Sequence, residues 1–374
     1  SHGERRNEVV EPLTSYFLGR LQKDWDQGNT IIGGMFSSTN RKIDDPQLAF
    51  LHRAAYTGGI DFRRSWKNKT YVFSAKSLFS RVRGDSEALQ ETQESSVHYF
   101  QRPDATHLSV DPTRTSLDGH GGTLSFGKEG DGRIRFSLGG TWRSPGLELN
   151  DVGFLRQADR IMQWSWAGYR VLEPFGIFRR LNINANQWRG WDFSGENLFD
   201  GGNVNGGAQF KNYWRFGTGV NRQGESLSTT VLRGGPALRR PGGWGNWVNL
   251  STDSRKKLQF HVGGWNYWGG DDSRRHKEFW FGGTYRPSNA LAISVEPSMG
   301  ADKQELQYVS TEEFGDQDRY ILGYIDQRTV SITIRLTYSI TPNLSIQYYG
   351  QPFISTGDYT QFKRVTEPRA DAYG

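Results

Sequence analysis

Residues Thr329–Ile340 read TVSITIRLTYSI, with an apolar side chain at every even position and a polar one at every odd position. A strand with this pattern has one apolar and one polar face, because successive side chains point to opposite sides of the sheet. Pro342 and Asn343 then predict a turn, and Leu344–Tyr348 repeats the alternation. The two segments are therefore predicted to form a β-hairpin.

The same alternation recurs along the chain in roughly 18 segments of about ten residues. Clear examples are Arg133–Leu138, Arg180–Asn186, Lys257–Val262 and Leu291–Glu296. Strands are also expected near 224–234 and 304–312, and the strand that contains Leu291–Glu296 is expected to span about 290–300. Short turns such as 67–69 alternate with long polar loops, which are expected near 82–117 and 191–205. No helix of convincing periodicity is predicted.

This pattern predicts an all-β fold, an antiparallel transmembrane β-barrel of the outer-membrane type, with residues 1–374 as a single domain. Aromatic residues at the segment ends suit interfacial girdles, as at Trp142, Trp188, Trp191, Trp265, Trp268 and Tyr348. The segments are longer than the five or six residues typical of soluble sheets. A soluble β-propeller or a pair of β-sandwiches is the alternative.

The composition agrees with a barrel and excludes several other classes. Much of the apolar side-chain volume is aromatic, from 13 Trp, 16 Tyr and 22 Phe, and the sequence also has 46 Gly, 3 Met and no Cys. No window reaches the roughly 20 apolar residues that a transmembrane helix needs. The net charge of +6 comes from scattered Lys and Arg interleaved with 40 acidic residues, which does not predict a nucleic-acid partner.

The sequence contains no motif that predicts catalysis, a cofactor or a metal. Its seven histidines show no metal-ligand spacing, and GxSxG is absent. Acidic pairs at Asp44-Asp45, Asp271-Asp272 and Glu312-Glu313 are interpreted as solvated loop tips, with Ca²⁺ binding as the alternative. An envelope hydrolase would need residues from distant strands to meet in one cavity.

If the apolar positions face lipid, the polar ones line a lumen. The predicted lipid-facing residues are Val330, Ile332, Ile334, Leu336 and Tyr338. The predicted lumen-facing residues are Arg133, Arg135, Arg180, Asn182, Asn184, Lys211, Arg215, Lys257, His261 and Arg335. A basic, amide-lined interior favours anionic or carbohydrate-like solutes. The alternative is a packed interior in which the arginines pair with acids such as Glu296.

Several long segments resemble the barrel region of the DUF5916 family, bacterial proteins of unknown function. These segments are Val10–Thr14, Phe50–Gly59, Ser96–Ala105, Asp111–Thr115, Asn150–Arg156, Gly202–Gly206, Leu232–Arg239 and Gln351–Ser355. The resemblance implies an outer-membrane location and, in complete members, an N-terminal family-9-like carbohydrate-binding domain in the periplasm. That domain is absent from this sequence.

The resemblance also implies barrel strands beyond both ends of the sequence, because the tail 367–374 lacks a terminal amphipathic strand. The leading functional hypothesis is an outer-membrane barrel of the transport or channel type, linked to carbohydrate handling. The alternative is an anchoring barrel that displays loops or tethers a partner complex. The expected partners are outer-membrane lipid, other envelope proteins, and a carbohydrate or anionic solute.

Overall fold

The computed structural model describes residues 9–315 and 317–371. Its strands are β1 (Leu13–Trp25), β2 (Thr30–Lys42), β3 (Ala54–Trp66), β4 (Tyr71–Arg83), β5 (Ser116–Lys128), β6 (Ile134–Arg143), β7 (Arg160–Val171), β8 (Phe178–Trp191), β9 (Asn197–Phe210), β10 (Arg215–Gln223), β11 (Ser226–Ser228), β12 (Leu238–Arg240), β13 (Gly243–Ser251), β14 (Leu258–Gly269), β15 (Arg274–Tyr285), β16 (Leu291–Phe314), β17 (Gln317–Thr341), β18 (Leu344–Gly350) and β19 (Phe353–Arg364). Helix α1 spans Ser86–Glu94, and short 3₁₀ turns cover Pro46–Leu48 and Gly270–Asp272. None of these helices is long and apolar enough to cross a membrane.

Of these strands, 17 form one antiparallel sheet in which neighbours in sequence are neighbours in space. Strands β11 and β12 form a separate small hairpin within the β10–β13 connection. Strands β18 and β19 follow one another along the same edge of β17, the first opposite Ile334–Thr341 and the second opposite Ile321–Ser331. The all-β, antiparallel prediction is confirmed, with 19 strands against the roughly 18 expected.

The strand register divides every side chain of the sheet between two faces. Ala55, Val82 and Leu117 stand opposite one another on β3, β4 and β5, and they pack against Leu89 of α1. We call the face covered by this helix the inner face. The opposite one is the outer face, and each strand alternates between them.

The outer face carries a belt of apolar side chains with a sharp polar border. Phe279, Met299 and Val330 stand side by side on β15, β16 and β17, and the next outer-face row is Lys277, Ala301 and Arg328. From this border the even positions of β17 are apolar up to Ile340, and the predicted lipid-facing residues Val330, Ile332, Ile334, Leu336 and Tyr338 all lie in this belt. Eleven residues match the 9–11 that a tilted strand needs to cross hydrocarbon.

The sheet is curled, and it is not closed. Arg369, five residues after β19, forms an ion pair with Glu196 just before β9. In a flat sheet the seven strand spacings from β9 to β19 would separate these elements by about 34 Å, farther than about 18 Å of extended tail can reach. Among the described residues, β1 and β19 do not pair with each other, so both ends of the sheet have an open edge.

The two rims of the sheet differ in the length of their connections. One rim has short turns, such as 26–29, 67–70 and 342–343, and Lys67–Lys69 form one of them with left-handed backbone angles. The other rim has the long connections 43–53, 84–115, 144–159 and 224–242. This asymmetry is the one expected of outer-membrane barrels.

Four details of the sequence-based prediction are corrected. The loop expected at 191–205 is only 192–196, because 197–205 belongs to β9, whose glycines accommodate side chains of β8. The strand expected at 224–234 is mostly loop, with the small hairpin β11–β12. The strands expected at 290–300 and 304–312 are one continuous strand, β16. The 82–117 loop runs from 84 to 115 and contains α1, which was not predicted because its nine residues are mostly polar.

Candidate functional site

The predicted lumen-facing residues that lie in strands share the inner face. The register places Arg135, Arg180, Asn182, Asn184, Arg215, His261 and Arg335 there. Arg133, Lys211 and Lys257 lie in turns at the short-turn rim instead of in strands. The alternation therefore brings basic and amide side chains from widely separated strands onto one surface.

Five of these side chains surround a single concave site of about 470 Å³ on strands β6 to β10. They are Arg135, Arg180, Asn182, Asn184 and Arg215. The site is completed by Trp166 and Arg170 of β7, which were not predicted. Arg170 could have been found from the sequence, since it follows Trp166 at the even spacing of an inner-face position.

The arginines of this site have few anionic partners. Among the described residues, no carboxylate oxygen lies within 4.0 Å of the guanidinium groups of Arg135, Arg170, Arg180 or Arg215. Arg180 Nε donates to Gln209 Oε1 at 2.9 Å, and the Arg135 guanidinium lies 5.6 Å from the centre of the Trp166 ring. Arg170 Nε is buried and has no hydrogen-bond partner. Uncompensated guanidinium groups around one concavity create a positive potential there.

Amide side chains form a connected ladder beside the arginines. Asn184 Nδ2 donates to Asn205 Oδ1 at 3.0 Å, and Asn186 Nδ2 donates to Asn203 Oδ1 at 2.7 Å. Trp166 Nε1 donates to Asn184 Oδ1 at 3.3 Å. These bonds hold the amide groups in fixed positions across β7, β8 and β9.

Indole rings lie against glycines along the inner face. A methyl group at Gly201 would stand 2.9 Å from the Trp188 ring, and one at Gly245 would stand 2.6 Å from the Trp265 ring. The glycines thus let the indoles lie flat on the neighbouring strand, as in aromatic rescue of strand glycines. Trp188 and Trp265, expected in the interfacial girdles, are therefore inner-face residues. Trp142, Trp191, Trp268 and Tyr348 lie on the outer face.

The other predicted inner-face residues have local partners. His261 Nε2 lies 2.8 Å from Glu296 Oε2, so the acid expected to pair with arginine pairs with histidine. Arg335 lies over the Tyr349 ring at 4.8 Å. In the turns, Arg133 forms an ion pair with Glu173 at 3.1 Å. These contacts are separate from the concave site.

The long loops fold over the inner face at their rim. Phe100 and Leu89 of the 84–115 loop pack on the strand residues of the helix-covered patch, and Leu147 of the 144–159 loop packs beside Leu78 of β4. Gln157 of the 144–159 loop donates to Thr229 at 3.4 Å. The loops therefore contact one another as well as the sheet.

Buried histidine–carboxylate pairs connect these loops. His98 Nε2 lies 2.9 Å from Glu148 Oε2, and His52 Nδ1 lies 2.8 Å from Asp151 Oδ2. Burial raises the pKa of Glu148 and Asp151, but their hydrogen bonds and charge interactions together outweigh it, so both pKa values lie below their ordinary range; His98 and the Asn150 N–H act on Glu148, and His52 and Arg41 act on Asp151. These pairs could not be predicted from the sequence, because their members are 50 and 99 residues apart.

One of these pairs extends to a hydroxyl group. His52 Nε2 lies 2.7 Å from Thr92 Oγ1, so Asp151, His52 and Thr92 follow the order of a nucleophilic triad. Thr92 is buried, however, and its hydroxyl donates to the carbonyl of Ala88 at 2.8 Å within α1. The three residues therefore fasten α1 to two neighbouring loops and do not present a nucleophile.

A family model described as a domain of unknown function, DUF5916, matches residues 1–369. The chain belongs to the DUF5916 family. The resemblance seen in the sequence is thereby confirmed. No curated protein matches this DUF5916 chain.

Solved structures similar to the DUF5916 chain come from outer-membrane proteins. The anion-selective porin from Comamonas acidovorans gives a TM-score of 0.35 at 7% identity, over 80% of this chain and 92% of the porin. The FrpB iron transporter from Neisseria meningitidis gives 0.47 at 8% identity, over 92% of this chain and 61% of the transporter. The siderophore receptor PirA from Acinetobacter baumannii gives 0.45 at 8% identity, over 96% of this chain and 71% of the receptor. The DUF5916 chain thus spans less than two thirds of the FrpB transporter.

Proposed function

We propose that this chain is part of an outer-membrane barrel of the transport type, residues 1–374 acting as one domain, whose inner face takes acidic, carbohydrate-like solutes. The belt on the outer face supports a location in lipid, since its height matches a hydrocarbon layer and a row with Lys277 and Arg328 borders it on one side. Catalysis is not part of the proposal.

The observation that carries this proposal is the arginine-lined concavity on β6 to β10. Four guanidinium groups without carboxylate partners converge on about 470 Å³ of polar space. Guanidinium groups bind carboxylate, sulfate and phosphate through paired N–H donors, and they keep their charge at any ordinary pH. An anionic solute would supply the missing counter-charge.

The neighbouring side chains favour a sugar skeleton for that anion. Asn184, Asn186 and Asn203 offer fixed amide donors and acceptors, which suit the hydroxyl groups of a saccharide. Trp166 and Trp188 offer flat apolar surfaces on which a sugar ring packs. Acidic oligosaccharides combine these requirements, and they form the substrate class that we propose.

A second candidate function is supported by the loops over the inner face. Because α1 and the 144–159 loop pack on strands β3 to β5, part of the interior is filled at the long-loop rim. In an anchoring barrel that displays loops or holds a partner envelope protein, this part of the interior would stay filled permanently. A transport barrel would need the loops to leave a passage or to move.

The test is ion conduction by the full-length protein in planar bilayers. We expect an anion-selective current that is blocked by a uronic-acid trisaccharide at least about 10-fold more strongly than by an uncharged trisaccharide, a difference of about 1.4 kcal/mol. The Arg180→Gln, Arg215→Gln variant should lose both the selectivity and the preferential block. Arg328→Gln on the outer face, whose side chain is largely exposed, is the matched control and should change neither.

Two results would contradict the proposal. Cation selectivity would mean that the arginines do not set the potential along the path. The absence of current, both in the natural protein and in a variant lacking residues 86–110, would favour the anchoring barrel.

A further inference from the structure

Three loops at the long-loop rim bring an imidazole and two carboxylates together. His107 belongs to the 84–115 loop, Asp159 ends the 144–159 loop, and Asp192 begins the 192–196 loop. The ligand atoms that these side chains offer lie within 4.8 Å of one another. This cluster is separate from the arginine-lined concavity and from the three acidic pairs, of which Glu312-Glu313 lies in β16 instead of in a loop.

The two carboxylates are buried and oriented by backbone groups. Asp192 is 1% exposed and Asp159 is 8% exposed. Asp159 Oδ1 accepts from the Phe193 N–H at 3.0 Å. Asp192 Oδ1 accepts from the N–H groups of Ser194 and Glu196 and from the Ser194 hydroxyl, at 2.7 to 3.0 Å. Fixed outer bonds of this kind hold metal-binding carboxylates in position.

Two polar atoms of the cluster are buried without partners. Asp192 Oδ2 has no hydrogen-bond partner, although Oδ1 of the same group has three. His107 Nδ1 is likewise buried and unpartnered, while its Nε2 lies 2.9 Å from Asp159 Oδ2. An unpartnered buried carboxylate oxygen carries a desolvation cost that a bound cation removes.

The net charge of the cluster also favours a bound cation. Two buried carboxylates repel each other, and His107 contributes one positive charge at most. Arg160, the next residue after Asp159, lies over the Phe199 ring at 4.2 Å and donates to Gln157 at 3.5 Å. Its contacts therefore point toward β9 and the loop, and a divalent ion would balance both carboxylates.

We propose that His107, Asp159 and Asp192 bind one divalent metal ion of the imidazole-and-carboxylate class, with Zn²⁺ as its representative. Imidazole with carboxylate oxygens suits Zn²⁺ and its transition-metal neighbours, whereas Ca²⁺ takes oxygen ligands only. In a tetrahedral zinc site with bonds of about 2.0 Å, ligand atoms stand about 3.3 Å apart, so the side chains need to approach slightly. Three protein ligands leave a position for water or solute.

Such an ion would join three loops of the long-loop rim, two of which pack on the inner face. Each ligand belongs to a different loop, so the ion would add one bridge among loops that are also joined by contacts such as the buried His98–Glu148 pair and the Gln157–Thr229 hydrogen bond. The ion would therefore hold these loops together at the rim. Its removal is expected to loosen the 84–115 loop while the sheet below remains folded.

The test measures Zn²⁺ binding to the full-length protein, purified in detergent and treated with a chelator. We expect one equivalent of Zn²⁺ per chain by isothermal titration, together with slower proteolysis of the 84–115 loop when Zn²⁺ is added. Asp192→Asn and His107→Gln should each weaken binding at least about 10-fold and remove the protection. Asp271→Asn, in an exposed acidic pair, is the matched control and should bind as the natural protein does.

Circular dichroism of each variant checks that the sheet is folded, so that a loss of binding can be distinguished from misfolding. The proposal is overturned if the natural protein takes up no stoichiometric Zn²⁺, or if folded Asp192→Asn, His107→Gln protein retains the affinity. Binding of Ca²⁺ in preference to Zn²⁺, unaffected by His107→Gln, would also overturn it, because an oxygen-only site would then be present.

Discussion

Asp151 is held by two basic side chains, and this makes the long loops over the inner face sensitive to acid. Arg41 donates to Asp151 Oδ1, and His52 Nδ1 lies 2.8 Å from Oδ2. Burial raises the pKa of Asp151, but these bonds outweigh it and place the pKa below the ordinary value of 3.8. Glu148 has a lowered pKa for the same reasons, with His98 and the Asn150 N–H as donors.

Lowered pKa values mean that these carboxylates stabilise the folded loops at neutral pH. The contribution is complete above the ordinary pKa values near 4, and it is lost as the pH falls through the lower values of the folded state. We predict that hydrogen exchange in residues 84–115, expressed relative to the rate of an unfolded chain at the same pH, is slow at pH 7 and accelerates below about pH 4. Asp151→Asn should accelerate it already at pH 7, whereas Asp44→Asn, an exposed carboxylate, should not. A relative exchange rate that does not change with pH in the natural protein would contradict this.

Single residues show where sequence reasoning succeeds and where it fails. The alternation in Thr329–Ile340 predicted which side chains share a face, because strand geometry alone decides it. The glycines of β9 look like loop in the sequence, because the reason for one of them, Gly201 fitting under Trp188, lies on the neighbouring strand. His107 and Asp159 are 52 residues apart, so no spacing rule could bring them together.

At the scale of one strand, β17 alternates between two environments. Ile334 lies near the middle of the outer-face belt, and Thr333 lies on the inner face opposite Glu296 of β16. The two positions are neighbours in sequence and in depth. They differ only in the side of the sheet to which they point.

This difference gives a direct comparison of the two faces. Ile334→Arg places a charge at the level of hydrocarbon and should destabilise the protein in lipid by about 2–4 kcal/mol. Thr333→Arg should destabilise the protein much less, because the new charge faces Glu296 on the polar side of the sheet. Urea unfolding in liposomes measures both values. Equal costs for the two variants would argue that β17 does not separate lipid from a polar interior.

The short-turn and long-loop rims also belong to the scale of the elements. Turns of four residues at 26–29 and 67–70 were predictable from their polar and glycine content. Helix α1 was not predictable from the sequence, because nine residues give too few turns for a periodic pattern. Its buried face exists only through its contacts with β3, β4 and β5. Long connections thus gain their structure from the sheet on which they fold.

At the scale of the whole molecule, the sheet has an open edge at each end. One edge of β1 and one edge of β18 and β19 are unpaired within the described residues. Backbone groups left unpaired in lipid cost several kcal/mol each, so a membrane barrel requires strands on both edges. We expect these strands to come from further sequence of the same polypeptide or from a second chain.

Cysteine pairs can test this, because the sequence contains no cysteine. In the full-length protein, we predict no disulfide when Ser15→Cys, Gly19→Cys or Lys23→Cys on β1 is combined with Thr356→Cys or Thr360→Cys on β19. Ser37→Cys with Thr57→Cys, directly opposite on β2 and β3, is the positive control and should cross-link. Efficient cross-linking of any edge pair would mean that β1 and β19 close the barrel directly.

The β16–β17 hairpin extends well beyond the apolar belt. Strand β17 begins at Gln317, and the belt begins at Val330, so about 44 Å of strand lies past the hydrocarbon border at about 3.4 Å per residue. In outer-membrane barrels the long-loop rim faces the external medium. If the chain spans the outer membrane as proposed, large molecules that arrive from outside would therefore meet this hairpin before they reach the bilayer surface.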